Sequence, residues 1–200
     1  MSETPTVDLK RRREARQKLG LLVLLCLAPI VASYLAYYVF RPGVRSNYGE
    51  LIEPQRPVPP LDLHTLDGRP FALSSLAGRW LMVMVDGGAC GHSCPDKLYH
   101  MRQVRLTTGK DRERVERVWL ISDAEPLSEQ VMRAYDGTLM LRARPDELRS
   151  WLPVQDATLI SDHIYLVDPH GHLMMRFPKD ADPNRTKRDL ARLLAASSIG

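Results

Sequence analysis

The most regular feature of the chain is an unbroken apolar segment near its start. Leu19 to Phe40 contains no charged residue over 22 positions, which corresponds to about 33 Å as a helix. The hydrocarbon core of a bilayer is about 30 Å thick, so the segment is long enough to cross it. We therefore predict a basic tail over residues 1–18 and a single transmembrane helix over residues 19–40.

The charges around this segment predict its direction. Six lysines and arginines precede it, between Lys10 and Lys18, whereas only Arg41 and Arg45 follow closely. Because basic flanks stay in the cytoplasm, we expect an inner-membrane protein with a cytoplasmic N-terminus and a periplasmic domain. A cleaved signal peptide is the alternative, although apolar residues continue beyond the small residues at 31–33 where cleavage would fall.

Behind the apolar segment, residues 41–60 are rich in proline and show no apolar periodicity. This composition predicts a stiff, extended linker between the membrane and a domain over residues 61–200. The domain begins with a hairpin signal, because the short apolar segments 61–64 and 70–73 flank Asp67 and Gly68.

Within the domain, apolar runs alternate with segments of helical periodicity. Trp80 to Val85 is a continuous apolar run, which is typical of a central strand buried on both faces. Pro95 suits the first turn of a helix, and Gly109 suits its end. The alternation predicts an α/β domain of three layers, a central sheet flanked by helices. Further strands are predicted at 118–121, 139–141, 164–167 and 173–177, and further helices at 127–135, 146–152 and 187–196.

Charge changes this picture little. The formal net charge is +4, and the basic tail accounts for the excess, so the remaining chain is close to neutral. No basic helix or basic–aromatic pattern follows, and we therefore expect no nucleic-acid partner.

The cysteines supply the candidate chemistry. Cys26 lies in the apolar segment, where we expect it to pack as a small apolar residue. Cys90 and Cys94 are separated by three residues in a domain that has no other cysteine. Such a pair indicates a catalytic or metal-binding function rather than a structural framework. A plain stabilising disulfide remains the alternative.

The pair falls where the predicted central strand passes into a helix. Cys94 precedes Pro95 directly and so lies at the helix N-terminus, where the free N–H groups and the helix dipole favour a thiolate. A thiolate attacks disulfides and binds soft metals such as copper. His92, between the two cysteines, would support the thiolate when it is protonated.

A metal shared by two thiolates usually requires a third ligand. His163 is the best candidate, because it precedes strand 164–167, which we expect beside the cysteine strand. An ordinary histidine at a strand end is the alternative. His170 and His172 flank a turn glycine and are expected to be solvated; His64 belongs to the hairpin and His100 to the helix after the cysteines.

At these residues the chain resembles the Sco/SenC family, membrane-anchored thioredoxin-fold proteins that deliver copper to cytochrome c oxidase. The resemblance implies a thioredoxin-like domain and copper bound by Cys90, Cys94 and His163. It also implies a cytochrome c oxidase subunit, or another copper or thiol protein, as the partner. The residues that carry it are the anchor, the proline-bearing linker, Asp67-Gly68, Trp80, Cys90, Cys94 with Pro95, Ile121-Ser122-Asp123, Asp162-His163, Tyr165 to Pro169 and Gly171.

Three functions are therefore expected from the sequence. The first is a copper-binding factor for oxidase assembly, which needs both cysteines and His163. The second is a thiol–disulfide oxidoreductase, which needs Cys90 and Cys94 as catalytic residues but not His163. The third is a scaffold of a membrane complex that has lost both activities.

Overall fold

The computed structural model describes residues 6–38, 47–91 and 93–199, without the side chains of residues 6–12 and 37. The chain divides into two compact units, residues 1–46 and 47–200. Phe40, residues 41–46 of the predicted linker and His92 lie outside the described residues.

The first unit contains one long helix, α1 (Thr6–Tyr38). Its segment Arg13–Ala36 has a mean hydropathy of 2.4 and is long and apolar enough to cross a membrane. The helix continues through Pro29, as membrane helices tolerate. The predicted apolar helix is therefore present as a candidate membrane span, and helical structure also extends back into the basic tail.

The second unit is built around one sheet of eight strands in the order β1-β8-β7-β4-β5-β6-β2-β3. Strands β4, β5 and β6 are mutually parallel, and the other neighbours pair antiparallel. The strands are β1 (Glu50–Pro57), β2 (Leu63–Thr65), β3 (Pro70–Phe71), β4 (Trp80–Asp86), β5 (Val115–Ile121), β6 (Leu139–Arg142), β7 (Ile164–Val167) and β8 (His172–Arg176).

The alternation of side chains along β4 explains the three layers. Trp80, Met82 and Met84 face one core, and the intervening Leu81, Val83 and Val85 face a second core on the opposite side of the sheet. Helices α2 and α5 cover the first face, which α3 also contacts, and α4 covers the second. The helices are α2 (Ser93–Thr107), α3 (Glu129–Ala134), α4 (Pro145–Trp151) and α5 (Pro183–Ala196).

The predicted fold class is confirmed by this mixed sheet flanked by helices. The linker prediction over residues 41–60 is wrong for Glu50–Pro57, which forms the edge strand β1 and pairs with β8. Asp189 fixes the start of this segment, because its carboxylate accepts hydrogen bonds from Tyr48 N at 2.7 Å and Gly49 N at 2.8 Å. The described domain therefore begins at residue 47.

Candidate functional site

Cys90 and Cys94 form a disulfide at the junction between β4 and α2. The chain leaves β4 at Asp86 and passes through Gly87 and Gly88 before it reaches Cys90. Cys90 adopts a left-handed backbone conformation with φ of 49°, which is uncommon for a residue with a side chain. Its N–H donates to Gly87 O at 3.1 Å, so the loop closes as a tight turn.

The two cysteines differ in exposure. Cys94 is fully buried within the core that contains Leu98 and Met101, whereas Cys90 is half-buried at the edge of that core. Cys94 is the second residue of α2, near the positive end of the helix dipole. An external thiolate therefore reaches Cys90 first, and α2 stabilises the negative charge on Cys94 when the disulfide opens.

An ion pair lies beside the cysteine loop. Lys97, the fifth residue of α2, donates to the Asp86 carboxylate at 2.7 Å and to Val85 O at 3.3 Å. The same ammonium also donates to Ser161 O. The Lys97 and Asp86 side chains are only 11% and 17% exposed. Lys97 therefore links the beginning of α2 to the end of β4 and to the turn before β7.

His163 is fully buried, and protein atoms engage both of its ring nitrogens. Nδ1 lies 2.8 Å from Phe177 O, and Nε2 lies 2.7 Å from the Thr158 hydroxyl. Because a carbonyl only accepts, Nδ1 carries the hydrogen. Burial lowers the pKa of His163, which favours the neutral ring with its lone pair on Nε2. The Thr158 hydroxyl faces this nitrogen, while its single hydrogen is donated to Gln155 O at 2.6 Å. The nitrogen that a metal would need thus lies against the Thr158 hydroxyl.

The predicted metal set is not assembled in the described part of the chain. Residues 6–38, 47–91 and 93–199 contain no group of three histidine, cysteine or acidic side chains that is arranged to hold a metal ion. The two cysteines meet each other, while His163 faces Phe177 and Thr158 instead. These residues do not fit the three-ligand copper site that the resemblance implies, and His163 as a ligand stays a prediction.

Sequence reasoning missed several residues around the site. In the sequence, Lys97 and Asp86 cannot be told from ordinary surface charges. Only the structure shows that they form a largely buried ion pair that joins α2 to β4. His100 was expected on the helix without an assigned partner. It is buried, its Nε2 has no hydrogen-bond partner among the described residues, and it lines a cavity of about 110 Å³ with Ser93, Asp96 and Asp162.

The mixed sheet, its two helical layers and the cysteine pair at the β4–α2 junction define a thioredoxin-like domain. A family model described as "Transmembrane-like, thioredoxin-like, C-terminal domain" matches residues 80–197, which is more than half of the 200 residues. The chain therefore belongs to this family.

A curated relative is the "Putative copper-binding protein" of Stutzerimonas stutzeri, which is 27% identical over 122 residues. The match covers 60% of this chain and 57% of the relative, so the chain spans little more than half of the relative's length.

Two solved structures share the fold. Yeast Sco1 with copper bound is 19% identical, and the match covers 72% of this chain and 91% of that chain with a TM-score of 0.54. A thiol:disulfide interchange protein from Chlorobium tepidum is 17% identical, covering 72% of this chain and 99% of that chain, also with a TM-score of 0.54. The expected resemblance to Sco proteins is therefore confirmed for the fold.

Proposed function

We propose that this chain is a membrane-anchored thiol-redox protein that acts in copper delivery to a respiratory cytochrome c oxidase, with Cys90 and Cys94 as its reacting residues. The observation that carries the proposal is the disulfide at the β4–α2 junction, in which Cys90 is half-buried and Cys94 is fully buried. The copper-binding relative, copper-bound yeast Sco1 and the Chlorobium tepidum interchange protein support it.

The order of the exchange reaction follows from the exposure of the two cysteines. In the reduced protein, the Cys90 thiolate attacks one sulfur of a partner disulfide and forms a mixed disulfide, and the partner's other sulfur leaves as a thiolate. The Cys94 thiolate then attacks the Cys90 sulfur, which releases the second partner sulfur and forms the Cys90–Cys94 disulfide. Two electrons pass from this protein to the partner, whose thiolates take up protons from solvent.

The location is part of the same proposal. α1 anchors the chain in the inner membrane with its N-terminus in the cytoplasm, and the domain faces the periplasm. Disulfide chemistry persists in such an oxidising compartment. The partner is a copper-binding subunit of the oxidase or another thiol protein, whose metal-site cysteines must be reduced before they receive copper.

Trapping of a mixed disulfide tests the exchange. Full-length protein in detergent is treated with oxidised glutathione, and the adducts are counted by mass spectrometry in a Cys26→Ser background. We expect Cys94→Ser to form one stable glutathione adduct at Cys90. Cys90→Ser should react far more slowly, because the remaining sulfur is buried. Equal reaction of the two variants, or a wild-type disulfide that glutathione and dithiothreitol both leave intact, contradicts the proposal.

Copper binding by the reduced pair is the second candidate, and the copper-bound Sco1 structure favours testing it. The reduced full-length protein is titrated with Cu(I) against a chromophoric chelator. Because Thr158 and Phe177 occupy the ring nitrogens of His163, His163→Ala should weaken binding much less than Cys90→Ser. Equal losses in both variants would establish the three-ligand set that the resemblance implies.

Oxidase assembly needs a cellular test. A strain that carries the double variant Cys90→Ser, Cys94→Ser should show reduced oxidase activity and less copper in the oxidase. Unimpaired assembly in that strain would leave scaffolding as the function.

A further inference from the structure

The loop that carries Cys90 lies directly against the segment that follows β5. Gly88 N–H donates to Asp123 Oδ1 at 2.8 Å, and Glu125 N–H donates to the same oxygen at 3.2 Å. One carboxylate oxygen thus joins the cysteine loop to the 123–125 segment. The contact lies two residues before Cys90 in the loop.

The approach is too close for a side chain at either glycine of the loop. A Cβ at Gly87 would collide with the Asp123 carboxylate, and a Cβ at Gly88 would collide with Glu125 O. Two consecutive glycines therefore let the backbone of the loop press against its neighbour. Cys90, two residues after Gly88, adopts the left-handed conformation described above.

Arg142, the last residue of β6, also binds the 123–125 segment. Its Nη1 donates to Asp123 O at 2.7 Å, and its Nη2 donates to Glu125 O at 3.1 Å. A guanidinium fork is rigid, so one side chain fixes the two carbonyls at once. A continuous chain of hydrogen bonds thus runs from the sheet through Arg142 and Asp123 to Gly88.

We infer that Arg142, acting through Asp123, is a positioning residue for the exchange reaction of Cys90. It keeps the Cys90 loop in place when the disulfide is open, so that the two sulfurs remain within reach of each other. The inference rests on the proposed thiol-redox function. It concerns the equilibrium between the disulfide and dithiol forms, not the reacting groups. Neither residue touches a sulfur or takes part in electron transfer.

The consequence is measurable as an equilibrium. The reaction is protein disulfide plus two glutathione thiols, giving protein dithiol plus oxidised glutathione. A loop that is already held in the dithiol form loses little conformational freedom when the disulfide closes. Without Arg142 the open loop gains freedom, and closing the disulfide becomes less favourable. A residue that merely stabilised the fold would affect both redox forms alike and leave this equilibrium constant unchanged.

The experiment uses the full-length Cys26→Ser protein in detergent, equilibrated with glutathione buffers and quenched by alkylation. We expect Arg142→Met and Asp123→Ala each to lower the equilibrium constant for disulfide formation about tenfold, since each removes hydrogen bonds of a charged group. Asp123→Asn keeps an oxygen for Gly88 N–H and should stay within about threefold of the wild type. The control Arg133→Met removes an exposed arginine from α3 and should have no effect.

Each outcome decides the inference. An equilibrium constant for Arg142→Met within about twofold of the wild type overturns it, even if Asp123→Ala shifts. If Asp123→Asn lowers the equilibrium constant as far as Asp123→Ala does, the inference is also overturned. The charge of Asp123, and not its hydrogen bond to Gly88, would then be the cause. Thermal unfolding of both redox forms shows whether each variant is folded. The rate of thiol–disulfide exchange in the wild type tests the proposed function separately. Even if this exchange is slow, the equilibrium constants of variant and wild type are still compared once equilibrium is reached.

Discussion

Lys97 and Asp86 form an ion pair of 2.7 Å that joins the beginning of α2 to the end of β4, on either side of the cysteine loop. Both side chains are largely buried, and the Lys97 ammonium also reaches two backbone carbonyls. Asp86 Oδ1 accepts in turn from Gly87 N–H at 2.9 Å. The pair therefore fixes both ends of the segment that contains the disulfide.

Lys97→Met should lower the free energy of unfolding by about 2–3 kcal/mol, because it leaves a largely buried carboxylate without its cation. Urea unfolding of the full-length protein in detergent measures this. The matched control is Lys179→Met, whose ammonium pairs with Asp162 at 3.3 Å but is 56% exposed. That pair should contribute less than about 1 kcal/mol. Equal losses in the two variants would contradict the assigned importance of Lys97.

The second prediction concerns the start of the domain. The Asp189 carboxylate is buried and accepts from two backbone N–H groups at residues 48 and 49. Asp189→Ala leaves those groups without their acceptor and should lower the free energy of unfolding by about 2–4 kcal/mol. Limited proteolysis should then cut between residues 47 and 57 faster. Asp146→Ala, which removes an exposed carboxylate from α4, should change neither quantity.

The third prediction follows from His100. Burial lowers its pKa below the usual value of 6.5, while the charge of Asp182 opposes this shift. Below about pH 6.5 the unfolded chain therefore binds a proton at this histidine more readily than the folded protein does. The free energy of unfolding decreases as pH falls through this range. His163 acts in the same direction, since burial also lowers its pKa. His100→Gln should make the decline in unfolding free energy from about pH 8 to about pH 5 shallower.

The control for this measurement is His170→Gln, which replaces an exposed histidine in the turn before β8. Its pH dependence should match that of the wild type. The carboxyl groups of Asp162 and Asp182, whose pKa values hydrogen bonds lower below 3.8, act only under more acidic conditions. An unchanged slope in His100→Gln would show that this histidine titrates alike in the folded and unfolded protein.

The fourth prediction tests the orientation of α1. Single cysteines are placed at Ser2 or Ser198 in a chain that lacks its three native cysteines. A membrane-impermeant maleimide added to spheroplasts should label Ser198→Cys and leave Ser2→Cys unlabelled until the membrane is permeabilised. The opposite pattern would reverse the proposed topology. Loss of the N-terminal residues from the mature protein would identify a signal peptide.

Sequence patterns predicted the centre of the sheet better than its edge. β4 was identifiable because a strand buried on both faces needs an uninterrupted apolar run, and Trp80 to Val85 provides one. β1 was not, because seven of its eight residues are exposed and it contains prolines at both 54 and 57. Its strand conformation depends on pairing with β8, a partner more than a hundred residues away in the chain.

At the candidate site, too, local features were predictable from the sequence and long-range contacts were not. Spacing and the following Pro95 were enough to place the cysteine pair where β4 passes into α2, since strand and helix signals are local. The support around the pair was not predictable, because Arg142, Asp123 and Lys97 act through hydrogen bonds between segments far apart in sequence. A charged residue in a loop or on a helix gives the same sequence signal whether it is solvated or buried.

The sequence by itself thus determined the apolar helix, the α/β core and the neighbouring cysteines, because each depends on side-chain hydrophobicity or on short-range geometry. Only the tertiary structure decided what His163 is able to do. Phe177 O and the Thr158 hydroxyl lie against its two nitrogens, and a histidine in a sequence does not show whether its ligating nitrogen is accessible. Whether a histidine nitrogen is available to a metal depends on the residues around it, and the tertiary structure determines those residues.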